Sequence, residues 1–248
     1  MPYGRKEEIL NFAVILSGGT GSRLRGIDIP KQYYKVRGRT VLSYCMETLD
    51  QTDIIDAYVI VAAEEWQDAI LQEIKEISGK LPCFGMKFRE FALPGKNRQM
   101  SVLNGLYALK QTAGEKDIVL VQDAVRPCTS CGLIQKCIEA AAGERADGAM
   151  PVLKMKDTVY YSADGKQITS LLERDKILAG QAPEAFMYGS YLRANEALTK
   201  EELLRINGST EPAVKAGLSV VLVDGEEDNF KITTAEDLKR FKKVMEDA

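Results

Sequence analysis

Short unbroken apolar runs alternate with amphipathic stretches along almost the whole chain, the pattern of buried strands covered by helices on both faces. Phe12-Ala13-Val14-Ile15-Leu16 is the first such run and ends in glycines, which predicts a fully buried strand. Val41, Leu42, Cys45 and Leu49 recur at helical spacing, and Ala57 to Ala62 predicts a second buried strand. Trp66, Ile70, Ile74 and Ile77 mark one face of a helix. A strand near Phe88 to Phe91 follows, then a helix in which Met100, Leu103 and Leu106 share a face. Ile118-Val119-Leu120-Val121 is the cleanest strand and runs straight into Asp123. Leu133, Ile134, Cys137, Ile138 and Ala141 form another buried helical stripe.

After Pro151 the pattern changes. Thr158 to Tyr161 and Gln167 to Thr169 flank Asp164-Gly165, a hairpin signal. A two-stranded hairpin is marginal alone in water, so an arm at about 154–180 that packs on a second subunit is expected. The α/β pattern then returns with a helix over Tyr188 to Leu198 and a strand over Ser219 to Val223. A last helix begins near Thr234, where Thr234 and Asp237 have capping-box spacing and Leu238, Phe241 and Met245 supply the buried face. The expected architecture is one α/β domain over residues 1–248, with a mostly parallel sheet and a projecting arm.

Composition narrows the chemistry. Across 248 residues, 33 Lys and Arg face 36 Asp and Glu, a net charge of −3. That balance argues against nucleic-acid binding. No apolar run approaches the roughly 20 residues needed to span a bilayer, and residues 1–8 lack the apolar core of a signal peptide, so a cytoplasmic location is expected. The sequence contains no histidine, which removes Ser-His-Asp and Cys-His catalysis and any His-ligated zinc. Five cysteines in a cytosolic chain read as reduced thiols, and Cys128 to Cys131 is a lone C-x-x-C with no second pair to complete a zinc site.

Chemistry must then run on Lys, Arg, Asp, Glu, Ser, Thr or a bound ion. The first strand empties into Ser17-Gly18-Gly19-Thr20-Gly21-Ser22-Arg23, a glycine-rich strand-to-helix turn of the kind that points backbone N–H groups at an anion. No lysine follows the glycines as a P-loop requires, and the dinucleotide fingerprint fails at Leu24. Arg23, Arg25 and Lys31 bracket the turn with cations suited to a triphosphate. Asp123 sits at the carboxyl end of a buried strand, where ligands of open parallel sheets bind. A carboxylate there suits Mg²⁺ or, equally, a helix cap.

These segments, with Pro30-Lys31-Gln32-Tyr33, resemble the signature of the cytidylyltransferases that activate polyol phosphates. Arg98 with Ser101-Val102-Leu103-Asn104-Gly105-Leu106, Val121 to Pro127, Asp157-Thr158, Arg174, Gln181-Ala182-Pro183 and Asp228 to Thr233 follow in the same order. The resemblance spans about Phe12 to Phe241. It implies a Rossmann-like nucleotidyltransferase, homodimeric through the arm, that uses CTP, a polyol phosphate and Mg²⁺. By resemblance, Leu16, Ser17, Gly18, Gly19, Thr20, Gly21, Gly95, Lys96, Asn97, Arg98, Ser101 and Asp123 hold CTP. Arg23 and Lys31 stabilise charge at the α-phosphate, and Arg174 and Lys231 position the attacking phosphate. Asp123, Arg126 and Thr158 join Arg174 and Lys231 at the polyol phosphate, and Asp123 with Asp228 meets the metal. Pro94-Gly95-Lys96 and Thr210-Glu211-Pro212-Ala213 depart from the family pattern, the first at the cytosine and ribose contacts, the second at the polyol.

A phosphate monoester is largely dianionic at neutral pH, so it attacks without a general base. A chain lacking histidine can therefore run this reaction by positioning and electrostatics. Methylerythritol phosphate, the substrate of the commoner activity, is the expected acceptor. Leu16 to Arg23 and Gly180 to Pro183 lie closer to the ribitol branch, which stands as the alternative. A non-catalytic nucleotide-binding protein is the reading from another class, and a dehydrogenase is disfavoured by the missing third glycine.

Overall fold

The computed structural model describes residues 9–19 and 29–247. Strand β1 (Asn11–Leu16) opens the chain, and a tight hairpin of β2 (Lys35–Val36) and β3 (Arg39–Thr40) leads into α1 (Val41–Gln51). Then come β4 (Ala57–Val61), α2 (Glu64–Ser78), β5 (Phe88–Ala92), α3 (Arg98–Ala108), β6 (Ile118–Asp123), α4 (Cys131–Ala141) and β7 (Gly148–Lys154). The short strands β8 (Tyr160–Tyr161) and β9 (Ser170–Leu171) precede β10 (Leu178–Gly180) and β11 (Glu184–Met187). Helices α5 (Tyr188–Glu196), α6 (Lys200–Arg205) and α7 (Thr210–Lys215) lead to β12 (Val220–Asp224) and α8 (Ala235–Asp247).

β1 lies between β4 and β6, parallel to both, and β5 extends the parallel run beyond β4. On the other flank β11 pairs antiparallel with β6 and β7, β10 pairs antiparallel with the far part of β7, and β12 pairs parallel with β7. The expected mostly parallel sheet is therefore present. It carries an antiparallel insertion that hydrophobic periodicity did not announce.

Alternation along the central strands builds two cores. Ala13, Ile15, Tyr58, Ile60 and Leu120 face α1, α2 and α4, burying Leu42, Met46, Leu49, Ile70 and the expected α4 stripe. Phe12, Val14, Val59, Val61, Val119 and Val121 face α3 and α5, with Val102, Leu106, Tyr188 and Tyr191. Because both faces of these strands are covered, every residue of β4 and β6 is buried, which explains their unbroken apolar runs. α8 packs Leu238 and Phe241 on Val41 and Tyr44 of α1, and its capping box forms: Thr234 Oγ1 accepts from Asp237 N, while Asp237 Oδ2 accepts from Thr234 N.

Two expectations shift. The buried face of α3 is Gln99, Val102, Gly105 and Leu106, with Met100 and Leu103 only half-buried. The helix rotates toward Gly105 because a Cβ there would lie 2.3 Å from Cγ1 of Val14, so glycine lets the helix settle on the sheet. In the arm, Tyr160 pairs with Leu171 and Tyr161 with Ser170, so the second strand lies beyond Gln167–Thr169. Asp164 Oδ1 accepts the N–H groups of Lys166 and Gln167, which removes them from any ladder and lengthens the loop. Between Lys156 and Gly180 only Val159, Leu172 and Ile177 escape full exposure.

Gly105→Ala should destabilise the protein by about 1–3 kcal/mol, since overpacking against Val14 outweighs the helix propensity gained. Denaturant unfolding measures this, and equal or greater stability would show that α3 can lift off the sheet without cost.

Candidate active site

The carboxyl ends of β1 and β6 lie side by side, with Leu16 paired to Asp123. Beyond them opens a cavity of about 370 Å³ lined by Leu16, Gly18, Gly19, Lys31, Gln32, Gly95, Lys96, Asn97, Arg98, Ser101, Asp123, Val125 and Lys231. That size suits a small organic ligand.

Asp123 is the centre of this site. It is 6% exposed, and each of its oxygens meets cations from distant parts of the chain. Oδ1 accepts from Nε of Arg98 at 3.0 Å and from its Nη2 at 2.9 Å. Oδ2 lies 2.9 Å from Nζ of Lys231 and 3.6 Å from Nε of Arg126. Burial works against ionisation of Asp123, but Arg98, Lys231 and Arg126 outweigh it and hold the carboxyl well below the usual carboxylate range.

Local structure aims each cation. Arg98 opens α3, whose N-terminus is capped by the Asn97 side chain accepting from Met100 N. Nη1 of Arg98 donates to the Ser209 hydroxyl, which ties α3 to the start of α7. Lys231 lies in the loop between β12 and α8, held where Ile232 N donates to Val125 O at 2.8 Å. The same loop is anchored by Asn229, fully buried, whose Nδ2 donates to Ala182 O and whose Oδ1 accepts from Thr129 Oγ1. Gln181 Nε2 adds a bond to Glu226 O. Gly95 packs so closely on α3 that a Cβ would meet that of Met100 at 2.3 Å, which brings the Gly95–Lys96 backbone to the cavity wall. Opposite it, neither the Gly18 nor the Gly19 N–H has a hydrogen-bond partner among the described residues, so two backbone donors remain for an anion.

With Lys31, Lys96, Arg98 and Lys231 against Asp123, the cavity wall carries an excess of positive charge. Such a site attracts a polyanion.

The whole-chain pattern agrees with one known family. Residues 11–247 match the family model described as IspD: 2-C-methyl-D-erythritol 4-phosphate cytidylyltransferase. The chain belongs to the IspD family. It is similar to a 2-C-methyl-D-erythritol 4-phosphate cytidylyltransferase of Geobacter metallireducens, 33% identical over 92% of this chain and 94% of that one. It is also similar to a ribitol-5-phosphate cytidylyltransferase of Streptococcus agalactiae, 27% identical over 96% of both chains. Among solved structures, the 4-diphosphocytidyl-2C-methyl-D-erythritol synthase of Anaerococcus prevotii superposes with a TM-score of 0.77 at 26% identity, covering 96% of each chain. The expected nucleotidyltransferase fold and enzyme class are those of this IspD family member.

The structure gathers most of the residues singled out in the sequence: Leu16, Gly18, Gly19, Lys31, Gly95 to Arg98, Ser101, Asp123 and Lys231 all line the cavity of this family member, with buried Ser17 beneath them. Arg126 is mostly buried, between Asp123 and the carbonyl of Asn229. Thr158 and Arg174 lie on the exposed arm and do not line the cavity of their own chain; Arg174 donates to Lys156 O. Asp228 points to Arg240 at 3.1 Å and likewise does not line the cavity. Glu211 accepts from Asn207 N, and Pro212 occupies the first turn of α7, where a missing N–H costs nothing. Thr20, Gly21, Arg23 and Arg25 lie outside the described residues.

The sequence reading gave no role of their own to Gln32, Asn229 and Glu184. The first two lie inside recognised motifs and Glu184 just after one, but only long-range contacts reveal their work. Glu184, on β11, is 5% exposed and 3.7 Å from Nη2 of Arg98. Burial pushes its carboxyl up to about 7; Arg98 lowers it only partly, and Asp123 adds to the rise. Its protonated form is thus favoured in the folded chain, so this group lowers stability as pH rises from about 4.5 to about 7, and the loss is complete above that. Glu184→Gln removes the titration. Relative to wild type, the variant should gain up to about 3 kcal/mol between pH 5 and pH 8. Denaturant unfolding at the two pH values tests this, and a gap that stays constant would contradict it.

Proposed function

We propose that this IspD family member transfers the cytidylyl group of CTP to 2-C-methyl-D-erythritol 4-phosphate with Mg²⁺, releasing pyrophosphate, as a homodimer in the cytoplasm. The observation that carries this reading is the cluster of Arg98, Lys231 and Asp123 beside the unpartnered glycine-turn N–H groups. The relatives named 2-C-methyl-D-erythritol 4-phosphate cytidylyltransferase support this acceptor and the cytidylyl group. No helix among the described residues is long and apolar enough to cross a membrane.

In this reading the acceptor phosphate forms a new P–O bond to the α-phosphorus of CTP while the bond to the β-phosphate oxygen breaks. The attacking oxygen is already ionised, so no residue has to remove a proton. The glycine-turn N–H groups and Lys31 hold the triphosphate and meet the charge that builds on the leaving pyrophosphate, with Arg23 expected beside them. Lys231 orients the attacking phosphate, and Asp123 keeps the Lys231 ammonium aimed into the cavity.

Mg²⁺ fits the donor set in a limited way. Asp123 is a permanently ionised carboxylate at the cavity floor, and magnesium commonly takes one carboxylate and leaves its other positions to phosphates and water. Among the described residues no group of three or more acidic or Cys side chains could hold a metal alone. Asp123 would therefore be the protein's ligand, and the bound ion would neutralise charge on the transferring phosphates.

The arm supports the dimer. Tyr160, Tyr161, Ile168 and Leu171 expose apolar surface there, Ile168 at 69%. Thr158 and Arg174 would then serve the acceptor phosphate in the other subunit's cavity. A ribitol-5-phosphate acceptor is the second reading, favoured by the Streptococcus agalactiae relatives, which this chain matches over 96% of its length.

Pyrophosphate release with CTP, UTP and ATP, each paired with methylerythritol phosphate and ribitol 5-phosphate, tests both readings. Turnover only with CTP and methylerythritol phosphate is expected, and turnover only with ribitol 5-phosphate would transfer the assignment to the second reading. Lys31→Ala and Arg23→Ala should each lower kcat by about 10²–10³; near wild-type turnover in both would remove them from the mechanism. Lys231→Ala should chiefly raise KM for the acceptor phosphate, by about tenfold or more. Unchanged kcat and KM would refute its role.

A further inference from the structure

Gln32 is 3% exposed, although it follows Lys31 directly at the cavity wall. Its Nε2 donates to the carbonyl of Ser17 at 2.7 Å and to that of Gly19 at 2.6 Å. A primary amide has two N–H donors on one nitrogen, so one side chain holds the two carbonyls on either side of Gly18. Glutamate in the same place would set an acceptor against two acceptors.

This grip has a directional consequence. In a planar trans peptide the carbonyl and the N–H point opposite ways. Drawing the Ser17 carbonyl to Gln32 therefore turns the Gly18 N–H away from it, and that N–H is one of the two donors without a partner among the described residues. The Tyr33 hydroxyl donates to the same Ser17 carbonyl at 2.9 Å, and its ring stacks on Trp66 with centroids 4.3 Å apart. Lys31, Gln32 and Tyr33 form one 3₁₀ turn, closed where Tyr34 N donates to Lys31 O. The backbone of Lys31 and that of Ser17 to Gly19 are thus joined into one unit with the Gln32 amide as its pin.

We propose that Gln32 is a positioning residue for the transfer: it fixes the spacing between the glycine-turn N–H groups and Lys31, and so acts on turnover without touching the acceptor phosphate. The proposal rests on the cytidylyl-transfer reading above. Gln32→Met keeps the length and removes both donors. With CTP and the acceptor phosphate used by wild type, kcat should fall about 10–100-fold, since misplacement near 1 Å costs that much. KM for the acceptor should stay within about twofold, and the emission of Trp66, the chain's single tryptophan, should stay at its wild-type maximum. In a Lys31→Ala background the same substitution should cost severalfold less than in wild type, because one of the two groups it positions is gone.

Wild-type kcat in folded Gln32→Met would overturn the proposal, as would an equal loss with and without Lys31 or a loss confined to acceptor KM. If Gln32→Met is not recovered folded, Tyr33→Phe keeps the ring on Trp66 and removes only the hydroxyl on Ser17. A severalfold fall in its kcat at constant acceptor KM supports the pinned unit, and unchanged kcat overturns it. Wild type that releases no pyrophosphate from any nucleotide with either acceptor overturns the transfer reading itself; activity in wild type that Gln32→Met retains overturns only the role of Gln32.

Discussion

A single carboxylate holds the working end of this protein together. Asp123 is buried at the tip of β6, where a bare charge would cost several kcal/mol. It remains ionised because cations arrive from three separate stretches of chain: Arg98 at the start of α3, Arg126 just past β6, and Lys231 from the loop before α8. Each oxygen has its own partners, so the carboxylate cannot rotate without breaking an ion pair. The loop carrying Lys231 is in turn locked by Asn229 and by the Ile232 to Val125 hydrogen bond. Electrostatics here is thus also architecture, since the charge that holds a cavity-lining lysine also joins segments over a hundred residues apart.

Topology decides where that carboxylate can sit. The chain builds the sheet outward from β1 through β4 to β5, then crosses to the other side of β1 to lay down β6. Loops from neighbouring strands diverge at such a crossing, which leaves a crevice at the carboxyl ends. The glycine turn follows β1 and Asp123 ends β6, so backbone donors and the carboxylate face the crevice from adjacent strands. The antiparallel β11 then places Glu184 under Arg98, and β7 with β12 carries the chain back to deliver Lys231.

What the sequence disclosed follows from the same physics. Strands covered on both faces must be apolar throughout, so β1, β4 and β6 were legible, as was the α4 stripe with its single buried face. The glycine turn, Lys31 and Asp123 stood out through residue types whose chemistry needs them beside strand ends, and Arg98 and Lys231 through the resemblance to a known family. β7, β10 and β11 did not: β7 mixes Gly, Met, Pro and Lys with apolar residues, β10 and β11 are only three and four residues long, and all three take their order from pairing across the sheet. The register of the arm was misjudged because Asp164 binds its own loop, and the α3 face because one glycine outweighs two larger apolar side chains at the sheet. Gln32 and Glu184 lay beyond reach for a different reason. Their roles are defined by partners, and a buried amide or carboxyl has no local pattern that names the carbonyl or guanidinium it will meet.

Glu184 sharpens the account of the site. Two buried carboxyls approach one guanidinium, and a single Arg98 cannot keep both ionised at neutral pH. Lys231 and Arg126 face Asp123 and decide the outcome: its pKa is driven down while that of Glu184 is pushed up to about 7. Near neutrality Asp123 therefore carries a full negative charge and Glu184 only part of one, against several positive charges. If both carboxyls were ionised, the excess of cations that draws a triphosphate and a phosphate monoester together would shrink just where their mutual repulsion is greatest. A protein without histidine leans on its fixed charges and backbone donors. The low polarity around Glu184 protects the excess of cations, so the apolar packing of β11 is part of the electrostatics of the cavity above it.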